Sequence, residues 1–136
     1  GFANQSISIS RDDGLELNNL YLTTALKCVP PEDKPKPSEL KTCFKFFREE
    51  INHLTRINTI VALGKIAFDA CLNFYMQDYD LKRKDFLFQH GTKYLLPDKK
   101  ILIGSYHPSP RNVNTGRIDE NKMVKLLKKV KKIMDR

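Results

Sequence analysis

The sequence predicts an α/β fold, a three-layer α/β/α sandwich with a mainly parallel central sheet. Three observations carry that expectation. Two short runs, NTIVAL at 58–63 and ILI at 101–103, have the length and β-branched content of buried strands. Three longer stretches repeat apolar residues at helical spacing. Strand-like and helix-like segments also alternate, as they do when parallel strands are joined by helical crossovers.

With 136 residues, 40% of them hydrophobic, one compact domain is expected. The formal net charge is +8. A polyanionic partner, nucleic acid or an anionic membrane surface, would account for that, and so would a Lys-rich solubilising surface. No apolar run approaches the roughly 18 residues of a membrane span, and no signal peptide is visible. Three cysteines without a regular framework suggest a reducing, cytoplasmic setting. The chain opens Gly-Phe-Ala, without an initiator Met, as expected of a fragment or a processed product.

Residues 1–14 are polar, and Arg11-Asp12-Asp13-Gly14 is a turn signal. Leu20, Leu22 and Ala25 among Tyr21, Thr23 and Thr24 predict a strand over 20–26. Four prolines within CVPPEDKPKPSELKTC, residues 28–43, forbid regular structure before about Pro37. A helix should then start near Ser38, with Glu39 favourable in its first turn. Its apolar face is Leu40, Cys43, Phe44, Phe47, Ile51 and Leu54. The strand at 58–63 should end at Gly64, and a helix should run over 65–76 with Ile66, Ala67, Ala70, Cys71 and Phe74 inward. Residues 77–84 are charged and read as loop, with short strands at 86–88 and 94–96 around Gly91. After the strand at 101–103 the pattern breaks at Gly104. The last helix, 119–136, has Met123, Leu126, Leu127, Val130 and Ile133 as its core stripe and lysines opposite.

The chemistry concentrates in ILIGSYHPSPRNVNTGR, residues 101–117. One imidazole, several hydroxyls and amides and two guanidiniums follow the C-terminal end of a predicted strand, where open α/β sheets bind ligands. Imidazole is the side chain best able to hydrogen-bond a developing anion near neutral pH, which singles out His107. Ser109, Asn112, Thr115 and Arg117 are suited to phosphate, and Gly116 lets a ligand approach the backbone. The same residues would also make a polar turn entering the last helix. Cys28 and Cys43 flank the proline-rich loop, but a structural metal site needs about four ligands, which two cysteines cannot complete, and taken alone they read better as two small apolar residues. Cys71 falls on the apolar stripe of its helix.

Three blocks of the chain resemble a known family. The segment from Cys28 to Cys43, with Pro30-Pro31-Glu32-Asp33-Lys34-Pro35 and Glu39, is similar to the proline-rich cluster loop of iron–sulfur uracil-DNA glycosylases. Ile60-Val61-Ala62-Leu63-Gly64 followed by Ala67 resembles their next strand–helix unit. HPSPRNVNTGRI resembles the C-terminal motif of the family 5, or B-type, enzymes, and the part down to Thr115-Gly116-Arg117 is more specific than HPS itself. The resemblance runs nearly the whole chain. It implies the sandwich fold of that superfamily and hydrolysis of the N-glycosidic bond of uracil, with related deaminated bases, in DNA after base flipping. His107 would stabilise the departing base, and Asp33 stands where the B-type enzymes have an active-site Asn. Ser109, Arg111, Asn112, Asn114, Thr115, Gly116 and Arg117 would grip the DNA backbone. Cys28 and Cys43 would be the last two of four ligands to a structural 4Fe–4S cluster.

The resemblance also implies that the chain is the C-terminal portion of a single glycosylase domain. The family's CxxC pair, glycine-rich pocket loop and water-positioning Asp belong upstream of Gly1. Thr24 occupies the place of a uracil-reading Asn in family 4, which favours family 5. A monomeric enzyme acting on uracil-containing DNA is the first reading. A catalytically inactive DNA-binding remnant of the same fold is the second, and an unrelated RNA-binding or small-molecule α/β domain the third.

Overall fold

The structure, a computed structural model, describes residues 1–27 and 30–135, with the side chain of Asp33 left aside. After an irregular N-terminal segment comes α1, Pro37–His53. Pro37 opens it in the first turn, where an N–H has no intrahelical partner to lose, and the Glu39 carboxylate accepts the Lys36 N–H at 2.7 Å. Then follow β1 (Thr59–Leu63), α2 (Lys65–Tyr75), β2 (Lys93–Leu95) and β3 (Ile101–Ser105). A one-turn helix, α3 (Pro110–Asn114), leads to α4 (Glu120–Met134).

The sheet has the order β1-β3-β2. β1 runs parallel to β3, with Thr59 opposite Ile101 and Leu63 opposite Ser105. β2 runs antiparallel to β3. Side chains alternate across this sheet as the pleat requires. Ile60, Ala62 and Leu102 pack with Phe47 of α1 and Phe68, Cys71, Leu72 and Tyr75 of α2. Val61, Ile101 and Ile103 face the other way, onto Met123, Leu126, Val130 and Ile133 of α4. Helices therefore cover both faces of β3, which is why its run of apolar residues is continuous instead of alternating.

Several sequence expectations need correcting. The sheet is small and mixed, with one parallel and one antiparallel pairing among the described residues, where a mainly parallel sheet was expected. No strand forms at 20–26: Leu20, Tyr21 and Leu22 are 42%, 54% and 71% exposed. The Glu50 carboxylate on α1 holds that segment instead, accepting the Tyr21 hydroxyl at 2.9 Å and the Thr23 hydroxyl at 2.7 Å and pairing with Lys27. Residues 86–88 also stay out of the sheet. The Tyr94 hydroxyl takes the place of a ladder there, accepting from the Leu87 N–H and donating to the Leu87 carbonyl, both at 2.8 Å. β3 does not break at Gly104 but continues to Ser105. The stretch read as loop after it contains α3, because Ser109 caps and Pro110 starts a turn of helix.

Candidate active site

The two parallel strands leave the sheet at the same level. Leu63 lies opposite Ser105, and the next N–H, that of Gly64, donates to the Ser105 carbonyl at 2.7 Å. Gly64 turns the chain into α2 at φ 97° and ψ 163°, a region that only glycine occupies without strain. It also permits a close approach: a Cβ here would stand 3.2 Å from Cβ of His107. His107 thus sits over the glycine that opens α2, at the C-terminal ends of β1 and β3. That is the crevice position in which α/β sheets place ligands. The His107 residue itself is exposed.

The loop beyond His107 is folded by its own side chains. Pro108 biases His107 towards extended backbone. Ser109 caps α3, its hydroxyl accepting the Asn112 N–H at 3.4 Å. Asn112 is the hub: its side-chain amide donates to the His107 carbonyl at 2.8 Å, and its own carbonyl accepts from Arg117 and Ile118 at 3.0 and 3.3 Å. The Thr115 hydroxyl donates to the Arg111 carbonyl at 2.8 Å, and Lys122 of α4 donates to the Gly116 carbonyl at 2.7 Å. Ile118 is buried beneath.

The residues with suitable chemistry therefore divide. Asn112 and Ser109, both half-buried, and the Thr115 hydroxyl serve the loop's own architecture. Arg111, Asn114, Gly116 and Arg117 face solvent, and among the described residues neither arginine makes an ion pair. The loop presents two cationic heads on a preformed frame, which suits phosphate oxygens.

Two residues at this site carry no sequence signal that would single them out. Ser105, the last residue of β3, is fully buried and polar, and His90 in the preceding turn has Nδ1 3.3 Å from its hydroxyl. Burial, and then the charges of Lys122 and Lys129, lower the His90 pKa, with Asp119 opposing them. A lone histidine in a QHGT turn and a serine at a strand end are common enough to pass unremarked.

Cys43 is buried on α1. Cys28 and the side chain of Asp33 are outside the described residues. Cys71 is buried in the α2 core, where burial pushes its thiol up to about 12 and keeps it protonated, unsuited to a metal. A 4Fe–4S cluster needs about four thiolates. Cys43 has the right donor chemistry, but the described residues contain no group of three or more His, Cys, Asp or Glu side chains able to hold a metal ion. No helix is long and apolar enough to cross a membrane, among the described residues.

Comparison with known proteins identifies the frame in which this site sits. Residues 2–131 match the uracil DNA glycosylase superfamily. The type-5 uracil-DNA glycosylase of Thermus thermophilus is 35% identical over 133 residues, covering 98% of this chain and 58% of that protein. That of Pyrobaculum aerophilum is 36% identical over 129 residues, 95% of this chain and 54% of that protein. A type-4 uracil-DNA glycosylase of Archaeoglobus fulgidus is 31% identical over 100 residues, 71% of this chain. The chain spans about half the length of these curated relatives. It belongs to the uracil DNA glycosylase superfamily.

Proposed function

We propose that the protein of which this chain is part removes uracil, and related deaminated bases, from DNA by hydrolysing the N-glycosidic bond. One observation carries the reading: in a chain of this superfamily, His107 stands at the C-terminal ends of two parallel strands, against Gly64. The target nucleotide is flipped out of the stack into the crevice beside it. As the bond breaks, negative charge collects on the departing base and positive charge on the sugar. The His107 imidazole donates a hydrogen bond to the base and stabilises that charge; a preorganised donor of this kind is worth about 2.7–4 kcal/mol. Arg111 and Arg117 meet backbone phosphates, and Asn114, Thr115 and Gly116 lie along the same strand. Ser109 and Asn112 hold the loop in shape.

In this reading the chain is the C-terminal portion of one domain, and its mixed sheet is a piece of a three-layer α/β/α sandwich. The relatives' greater length supports that. Asp33 takes the place of the B-type active-site Asn, and because an ionised carboxylate cannot donate a hydrogen bond it would alter base choice or rate there. Cys28 and Cys43 are two of four thiolate ligands to a 4Fe–4S cluster, which when bound braces the proline-rich loop. The enzyme acts as a cytoplasmic monomer.

The test uses the full-length protein, purified without oxygen, and an oligonucleotide with a single deoxyuridine. Free uracil and an alkali-labile abasic site are expected, with none from the thymine control. Binding without release at any enzyme excess would contradict the glycosylase reading and favour a DNA-binding remnant.

A further inference from the structure

We infer that His90 is a positioning residue for His107, acting through the hydroxyl of Ser105 and the carbonyl of Tyr106. The inference rests on the proposed role of His107 and adds to it the device that aims the ring. It starts from Gly104. The turn containing His90 closes on β3 through the Gly91 N–H, which donates to the Gly104 carbonyl at 2.8 Å, and the Gly104 N–H, which donates to the Thr92 carbonyl at 3.0 Å. A Cβ on residue 104 would stand 2.7 Å from the Thr92 hydroxyl and 2.8 Å from the Gln89 carbonyl oxygen. Glycine in mid-strand therefore lets the turn lie against β3.

The consequence is that His90 is laid over the strand's exit. Its ring is 5.7 Å from that of Tyr106, tilted by 32°. The Ser105 hydroxyl lies 3.3 Å from His90 Nδ1 and donates to the Tyr106 carbonyl at 3.1 Å. A hydroxyl has one hydrogen. With that hydrogen on the Tyr106 carbonyl, Nδ1 must carry a proton and donate to the Ser105 oxygen. The relay runs from the His90 N–H to the Ser105 hydroxyl to the carbonyl of the peptide that enters His107. The peptide that leaves His107 is held by Asn112, at 2.8 Å. Both peptide planes flanking His107 are thus fixed by side chains, one from each side of the strand exit. Apart from the Tyr75 phenol, Ser105 is the only buried polar side chain among the described residues, so this relay is the polar feature of an otherwise apolar strand.

The experiment compares His90→Leu, which keeps bulk but loses the donor, with His90→Asn, whose amide N–H falls near the place of Nδ1. In full-length protein, His90→Leu should slow single-turnover uracil release about tenfold or more, the order expected when a reacting group is misplaced by a fraction of an ångström. DNA affinity should stay within twofold, and His90→Asn should recover most of the rate. The ring resonances of His107 by NMR should move in His90→Leu and return in His90→Asn. Should His90→Leu fail to fold, Ser105→Ala breaks the same relay and should give the same displacement. Unmoved His107 resonances, or Asn no better than Leu, would overturn the inference. An inactive wild-type protein would remove the glycosylase reading alone, because the resonances decide the relay without activity.

Discussion

β1 and β3 run parallel, in register, and end at the same level, yet their exits have nothing else in common. From β1 the chain needs one residue, Gly64, to enter α2. From β3 it takes a long polar connection, with His107, a one-turn helix and two solvent-facing arginines, before α4 begins at Glu120. The short exit is a wall and the long one carries reactive groups. A tight turn spends its backbone on geometry and has no side chain left to offer. A longer loop can fold on itself, through Asn112 and Ser109, and still present groups outward. Each exit depends on the other, since the absence of a Cβ at Gly64 is what leaves room for His107.

The comparison breaks first at the wall. Gly64→Ala adds a Cβ 3.2 Å from that of His107, at a backbone conformation costing about 1–3 kcal/mol for any other residue. Thermal unfolding should show a loss of that order, and the folded fraction should release uracil more slowly, because His107 must shift. Normal activity with lost stability would mean that the wall supports the fold and leaves the site alone.

At the long exit Asn112 holds the carbonyl of His107. Asn112→Ala removes the bond to the His107 carbonyl, a loss of about 0.5–1.5 kcal/mol for an ordinary hydrogen bond. Hydrogen exchange at the Arg117 amide, which donates to the Asn112 main chain, should quicken, and Asp in place of Asn should fail to restore protection because it has no donor. Exchange unchanged in both variants would show that α3 holds without its hub.

A smaller effect is expected at the arginines. Arg117→Ala should weaken DNA binding alike for all sequences and flatten the slope of log affinity against log salt by about one unit. An unaltered slope would place DNA elsewhere on the basic surface, the lysine face of α4 being the next candidate.

How much of this was legible in the sequence follows from where each element draws its stability. α1, α2, α4, β1 and β3 pack against neighbours through regular apolar spacing, and the spacing is written in the chain. Gly64 was readable as the end of a strand, and His107 as the head of a polar loop. Residues 20–26 misled because β-propensity needs a partner strand to be realised, and Glu50, 23 to 29 positions from its partners, offers side-chain bonds to Tyr21, Thr23 and Lys27 instead. Ser109-Pro110 is a helix-start signal in its own right, and α3 was hidden only by its shortness. Gly104 looked like a breaker because its function, room for the 89–92 turn, depends on a segment that approaches only in the folded chain. The His90–Ser105 pair is invisible for the same reason: neither residue means anything until that turn has closed.

The central claim is that the long exit carries the chemistry through His107, and one measurement tests it most directly. In full-length protein, His107→Ala should cut the single-turnover rate of uracil release by about 10²–10³, the effect of losing a preorganised donor to a developing anion. Affinity for uncleaved DNA and the melting temperature should stay close to wild type, since the residue is exposed and, in the proposed reading, serves the transition state instead of the core. A variant that unfolds more readily while its folded fraction excises uracil at the wild-type rate would contradict the account.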